Sequence, residues 1–282
     1  MKRLLLLLAC LVLPCHAEEP LTVRALSFNV RYLNTQDSGA KMWTARRDAV
    51  AELIKKDAAD FVGTQEAFRQ MLDDIRAQVP GYGEIGVGRE DGKQKGEYSA
   101  ILYREAAWTA VTSGTFWLSD TPEVVASSTW GNKVTRICTW GQFKHKSSGR
   151  ELFVFNAHFD HESQPSREKA AALILQRIRE RGSNAPFIFM GDLNATPENP
   201  AIAVLQKGPP ALTDAWLSLH KDKPAAQSGT FHAFSGRQDG AHIDYIFAPA
   251  EITPVESAIV HDAKDGLLPS DHFPVRATVR LP

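Results

Sequence analysis

Hydrophobic and polar positions change period several times along the chain. Val23 to Val30 has the apolar, β-branched and aromatic make-up of a strand, and Thr44 to Lys56 then sets Val50, Leu53 and Ile54 on one helical face, with Thr44 placed as the N-cap. Phe61 to Gln65 predicts a short strand, and Phe68, Met71, Leu72 and Ile75 form the next helical stripe. The middle of the chain is strand-rich. Tyr98 to Tyr103, Trp108 to Leu118, Thr135 to Phe143 and Leu152 to Phe159 are separated by Gly, Ser, Pro and Asp turns, the pattern of an antiparallel meander. Residues 165 to 181 return to helix, with Leu173, Ile174 and Ile178 in register and Gly182 at C′. Asn199-Pro200 opens another helix, a cap followed by proline at the first helical position, and Gly208 ends it. Three strands are expected in the tail, at 230–234, 242–247 and 273–280. Many strands in two groups, with helices between and outside them, predict an α/β fold built as a two-sheet β-sandwich flanked by helices.

The first residues obey a different rule. Met1-Lys2-Arg3 is a basic start, Leu4 to Leu13 is an apolar run too short to span a membrane, and Cys15-His16-Ala17 ends in a small residue. This predicts a signal peptide over 1–17, cleavage after Ala17, and export to the periplasm or beyond the cell, with no transmembrane segment left. Lipoprotein anchoring at Cys10 is the weaker expectation, because the apolar stretch before it is too short. Of the three cysteines, Cys10 and Cys15 leave with that segment, so Cys138 cannot form an intramolecular disulfide and is expected to be a small buried hydrophobe.

Composition adds exclusions. With 43% hydrophobic and 23% charged residues, the chain is ordinary globular protein, and no linker or repeat divides 18–282, which reads as one domain. Losing Lys2 and Arg3 from 32 cations leaves 30 against 33 acids, a net charge of −3. There is no basic surplus to hold a nucleic acid, so no stable nucleic-acid partner is expected, and a monomer is.

The candidate chemistry lies where polar residues interrupt apolar strands. Phe187-Ile188-Phe189-Met190 stops at Gly191-Asp192-Leu193-Asn194, and the same happens at Phe28-Asn29, at Val62-Gly63-Thr64-Gln65-Glu66, at Asn156-Ala157-His158, at Ile243-Asp244-Tyr245 and at Ser270-Asp271-His272. One such group is an ordinary turn former. Taken together, Glu66, Asp192, Asn194, Asp244 and Asp271 are hard oxygen donors suited to Mg²⁺ or Mn²⁺, and His158 and His272 are able to pass protons near pH 7. Oxygen donors for a divalent ion beside two histidines form a phosphoester-hydrolysing constellation.

These motifs, in this order, resemble the endonuclease/exonuclease/phosphatase superfamily with its deoxyribonuclease-like fold, over residues 22 to 280. Trp43-Thr44-Ala45-Arg46-Arg47, Gly114-Thr115-Phe116-Trp117-Leu118-Ser119 and Arg136-Ile137-Cys138-Thr139-Trp140 look like an exported bacterial branch of it. The resemblance implies a four-layer α/β/β/α architecture and one or two Mg²⁺ or Mn²⁺ ions. It implies that Glu66 ligates the metal with help from Asn29 and Asp271, that Asp192 orients or deprotonates the attacking water, and that Asn194 holds a phosphate oxygen. His272 would contact the phosphate with its tautomer fixed by Asp244. His158 would lie across the phosphate as general acid or electrostatic stabiliser, with Glu97 as its carboxylate partner.

Other features receive smaller roles. Arg46, Arg136 and Arg167 have phosphate-clamp chemistry, and Arg136 is retained as a substrate-binding candidate. Trp43, Phe116, Trp117 and Trp130 are divided between core and cleft. Gly86-Val87-Gly88 lacks the ending of a phosphate-binding loop and reads as a flexible loop, and residues 91 to 96 form a possible selectivity insert. His158-Phe159-Asp160-His161 lacks a third short-spaced ligand for zinc. The leading expectation is an exported, divalent-metal-dependent phosphodiesterase using direct water attack, on a phosphorylated small molecule, lipid, glycan or nucleic acid. A secreted nuclease is the alternative within enzymes, and a non-catalytic phosphate-binding module is the alternative outside them.

Overall fold

The computed structural model describes residues 20–223 and 227–282, and the predicted signal peptide lies outside them. Two six-stranded sheets face each other. The first contains β1 (Thr22–Asn29), β2 (Phe61–Gln65), β3 (Tyr82–Ile85), β4 (Ile101–Arg104), β11 (Thr253–Ile259) and β12 (Val275–Arg280), in the order β11-β12-β1-β2-β4-β3. The second contains β5 (Trp108–Trp117), β6 (Ile137–His145), β7 (Glu151–His158), β8 (Phe187–Asp192), β9 (Leu212–Asp214) and β10 (Asp244–Pro249), in the order β5-β6-β7-β8-β10-β9. Helices α1 (Trp43–Asp57) and α2 (Arg69–Gln78) cover the first sheet, and α3 (Gln164–Arg179) and α4 (Pro200–Lys207) cover the second. A short α5 (Ala215–Leu219) follows β9.

Strand alternation explains the layers, because successive side chains leave opposite faces of a sheet. In β8, Phe187 and Phe189 pack outward with Ile174 and Ile178 of α3, while Ile188 and Met190 enter the inter-sheet core with Val154, Phe61 and Ile101. In β1, Ala25 faces that middle core, and Leu26 and Phe28 face α1 and α2 beside Val50, Ile54 and Leu72. The four-layer sandwich therefore has three apolar seams. Cys138 is fully buried in the outer one, and burial pushes its thiol far above the ordinary range.

Several expected elements are placed differently. Thr44 is not the cap of α1: Met42 holds that position and Thr44 lies inside the helix. The segment from Tyr98 forms a strand only from Ile101 and joins the first sheet between β2 and β3, so the meander is β5-β6-β7 alone. Gly182 lies two residues past the C-cap Glu180 of α3, one further than C′. The expected strand at 230–234 is a single bridge from Phe231 to His272, because Ala233 and Phe234 turn into the left-handed region at φ 49° and 63°. The sequence pattern does not predict β3, β9 and β11; β11 buries only Ser257 and Ile259 and owes its pairing to β12.

Asn156 fastens the two sheets below the cleft. Its amide donates to the carbonyls of Thr64 (2.9 Å) and Ala100 (2.8 Å) in the opposite sheet, and its Oδ1 accepts from Gln65 Nε2 at 2.7 Å. Gly63 leaves the necessary space, since a Cβ there would stand 2.9 Å from the Asn156 amide carbon. Asn156→Leu removes three buried hydrogen bonds, to the carbonyls of Thr64 and Ala100 and from the Gln65 amide, and is expected to cost about 3 kcal/mol, read from the midpoint and slope of urea unfolding. An unchanged midpoint would exclude this bolt.

Candidate active site

The strand ends converge on a cavity of about 500 Å³ lined by Glu66, Asp192, Asn194, His158, Asp271 and His272, together with Arg31, Tyr32, Arg89, Glu97, Arg136 and Phe231. β1 delivers Asn29, β2 leads into Glu66, β7 ends at His158, β8 ends at Asp192, β10 begins at Asp244, and the turn before β12 supplies Asp271 and His272. Asp192 and Asp244 are register partners in adjacent strands. Glu66 (φ 65°), Asn194 (φ 46°) and Arg31 (φ 58°) all hold left-handed backbone, uncommon for side-chain-bearing residues, which turns them off the strand direction into the cavity.

Asn29 is the hub. Its Nδ2 donates to Glu66 Oε1 (3.0 Å) and Asp192 Oδ2 (2.9 Å), while its Oδ1 accepts the backbone N–H of Arg31 (2.9 Å). Because a backbone N–H must find an acceptor, the amide oxygen is committed away from the carboxylates. Asn29 therefore holds the two acids, with its amide oxygen turned to the Arg31 backbone, where the expected ligand set placed it beside Glu66. Glu66 Oε2 is further fixed by the N–H of Tyr32 (2.8 Å). Asp271 also stands aside: its carboxylate faces Arg31 at 3.5 Å, and it is not part of the metal-competent cluster found among the described residues.

That cluster is Glu66, Asp192 and His272, whose donor atoms lie within 4.8 Å of one another. The two carboxylates suit a hard divalent cation. His272 suits it less. Burial opposes a charge on its ring, but Asp244 Oδ2, 2.8 Å from Nδ1, with Asp192 and Asp271, prevails and raises its pKa to about 10. A protonated ring donates to anions and does not coordinate. Asp192 is pushed the other way for an acid, up to about 7, by burial and by Asp244, partly offset by His272. Its Oδ1 accepts the N–H of Asn194 at 3.0 Å.

His158 is not the cation the resemblance implied. Burial first, and then Arg136 and Arg89, lower its pKa well below the ordinary value, so the ring is neutral. Asn194 Nδ2 lies 3.0 Å from its Nε2, which makes that nitrogen the acceptor. Nδ1 faces Glu97 Oε2 at 3.8 Å, an ion-pair distance and not a hydrogen bond, and Glu97 Oε1 is taken by Arg89 at 2.7 Å.

The remaining candidates separate cleanly. Arg136 lines the cavity and bonds His161 Nδ1 at 2.9 Å, so the His158/His161 pair forms no zinc cluster. Arg46 is spent on backbone carbonyls, and Arg167 on Gln164 and the carbonyl of Asp160. Trp43, Phe116 and Trp130 belong to the cores, and Trp117 donates to the carbonyl of Arg89, steadying the 86–97 loop. The aromatic walls of the cavity are Tyr32 and Phe231 instead, the latter packed 5.0 Å from the His272 ring. Arg31, Tyr32, Arg89 and Phe231 were missed. Arg31-Tyr32 directly follows Asn29 at a strand end, a signal that was available; Arg89 carried none.

Two facing sheets whose strand ends bring carboxylates and imidazoles into one anion-ready cavity define a phosphoester-hydrolysing class of enzyme. The Endonuclease/Exonuclease/phosphatase family matches residues 26–272, and the chain belongs to that family. An endonuclease/exonuclease/phosphatase family protein from Bacteroides thetaiotaomicron is 35% identical, with 94% of this chain and 99% of that one covered at a TM-score of 0.86. A mannosyl-6-phosphatase from the same organism is 36% identical, with 91% and 99% covered at a TM-score of 0.83. An uncharacterized protein of Acanthamoeba polyphaga mimivirus is 26% identical over 182 residues, 61% of this chain and 67% of that protein.

Proposed function

We propose that this chain is an exported, divalent-metal-dependent phosphoesterase whose substrates are sugar phosphomonoesters, in place of the diesters favoured from sequence. The observation that carries the hydrolytic reading is the convergence of Glu66, Asp192 and His272 within 4.8 Å in a walled cavity. The similarity to a mannosyl-6-phosphatase across nearly the whole chain supports the substrate class. Export rests on the pattern of residues 1–17.

Glu66 and Asp192 would hold a Mg²⁺ or Mn²⁺ ion, and such an ion, when bound, supplies positive charge for the phosphoryl oxygens. Asp192 orients the attacking water and accepts its proton, and its raised pKa, nearer neutrality than an ordinary carboxylate, suits a general base. His272, kept charged by Asp244, donates from Nε2 to a phosphoryl oxygen. Asn194 spends its two amide hydrogens on His158 Nε2 at 3.0 Å and the Phe159 carbonyl at 3.1 Å, and so fixes the neutral His158 ring in place before the substrate arrives.

Residues 18 to 282 should be assayed with mannose 6-phosphate, an aryl phosphomonoester, an aryl phosphodiester, plasmid DNA and a phospholipid, in Mg²⁺, Mn²⁺ and EDTA. Metal-dependent release of inorganic phosphate from the monoesters is the expected result. Nicking of plasmid DNA alone would replace this reading by a nuclease, and no turnover by folded protein with either metal would favour a binding module. Mass measurement of the chain expressed whole should place processing after Ala17; retention of the leader would remove the export claim.

A further inference from the structure

Arg136 sits at the cavity wall, 3% exposed, with most of its donors unused. Its Nη2 bonds His161 Nδ1 at 2.9 Å. Its Nε has no partner, and the nearest carboxylate oxygen, Asp160 Oδ2, stands 3.6 Å away. Asp160 meanwhile spends its Oδ1 on the backbone N–H groups of Glu162 and Ser163 at 3.0 and 2.6 Å. A guanidinium offers five N–H donors, and leaving them unpaired in a buried place is costly.

Arg46 shows what a buried arginine looks like here when its work is structural. It too is buried, at 0% exposure, and its Nε and both Nη atoms bond the carbonyls of Lys41, Val30, Pro269 and Arg31 at 2.7, 2.9, 2.6 and 3.2 Å. Arg89 is less buried and has one nitrogen paired with the Glu97 carboxylate at 2.7 Å. Arg136 is the buried guanidinium lining this cleft whose only hydrogen bond among the described residues is the one to His161, its Nε being shut away beside Asp160.

The shape of the missing acceptor follows from the groups around it. His272 and the Glu66/Asp192 cradle lie on one side of the cavity, and Asn194 reaches in beside His158. A phosphodiester has two non-bridging oxygens for such partners, whereas a phosphomonoester has a third and a second negative charge. The planar fork of arginine matches a pair of phosphate oxygens, which a lysine point charge does not. Resting on the phosphoesterase reading above, we propose that Arg136, aimed by His161, takes the third terminal oxygen of a phosphomonoester and so makes this site select monoesters over diesters.

The test compares wild type, Arg136→Gln, Arg136→Lys and His161→Ala on an aryl phosphomonoester and the corresponding aryl methyl phosphodiester, with competitive inhibition by inorganic phosphate measured in parallel. In Arg136→Gln the monoester-to-diester ratio of kcat/KM is expected to fall roughly 30-fold or more, the scale of a lost charge-assisted hydrogen bond, and inorganic phosphate should bind more weakly by a similar factor. Arg136→Lys should recover only part of the ratio, and His161→Ala should lower it by about 3-fold. Thermal melts establish folding, and Arg136→Lys decides the matter where the glutamine variant does not fold. A folded variant that keeps both the ratio and the phosphate inhibition within about 3-fold of wild type overturns the assignment. Where no diester is cleaved, the inhibition constant alone decides in the same sense. Wild type that cleaves only diesters instead sinks the monoester reading of the preceding subsection, a result distinct from a monoester-selective wild type whose variants keep that preference.

Discussion

Asp192→Asn is expected to lower kcat/KM for the preferred phosphoester by about 10³-fold or more, the combined scale of losing a general base and the charge that orients the nucleophile. The substitution keeps shape and burial, and the asparagine oxygen can still accept the Asn194 N–H, at the loss of the bond from Asn29 Nδ2, so lost activity cannot be ascribed to a lost cavity wall. In the folded protein that lost bond is offset by relief of a buried charge. Asp192 is 1% exposed and its pKa is raised to about 7 by burial and by Asp244, so its ionised form is disfavoured in the native state relative to the unfolded chain. A raised carboxylate pKa subtracts stability once the pH exceeds the ordinary value, and a neutral amide removes that penalty. The melting temperature at pH 7 to 8 should therefore hold or rise while turnover collapses. Activity within 10-fold of wild type would remove Asp192 from the chemistry.

The second large effect is expected at His272 and its support. His272→Ala removes the cationic donor and should cost roughly 10²- to 10³-fold in kcat, the magnitude seen for a single donor to a developing oxyanion. Asp244→Asn leaves the ring in place but withdraws the charge 2.8 Å from Nδ1 that lifts its pKa to about 10. With the carboxylate, the ring stays protonated up to that value; without it, the proton is lost near or below the ordinary histidine range. Between pH 6 and 9 the Asp244→Asn enzyme should lose activity as pH rises, and wild type should not lose it on this account. A flat profile in the variant, or a fall in KM alone, would show that Asp244 serves packing and not the charge of His272.

Much of the site was legible because polar residues that cap apolar strands have few structural reasons to cluster. Asp192, Asn194, His158, Asp244 and His272 each end or border a strand whose face assignments are fixed by period two, β7, β8 and β10 in one sheet and β12 in the other, so their convergence follows once the two sheets face each other. What each group does there was less legible. Asn29 looked like an oxygen ligand, yet the Arg31 N–H claims that oxygen and turns the amide hydrogens toward Glu66 and Asp192. His158 looked like a second cation, yet it lies where burial and two guanidinium groups forbid a charge. Both outcomes depend on partners distant in sequence, such as Asp192, 163 positions from Asn29.

The sequence by itself determined the layered α/β architecture and the roster of acids and histidines at strand ends, because hydrophobic periodicity and interruptions of it are local properties, and the order of its motifs carried the resemblance to the family. Only the tertiary structure decided the ligand cluster, the charge states and the division among the arginines. Those depend on which side chains face one another across two sheets, on left-handed turns at Arg31, Glu66 and Asn194, and on how completely each group is removed from water. Arg46 and Arg136 are the same residue in the sequence. One bonds four backbone carbonyls and the other, lining the cavity, has among the described residues a hydrogen bond to His161 alone, a difference made by packing.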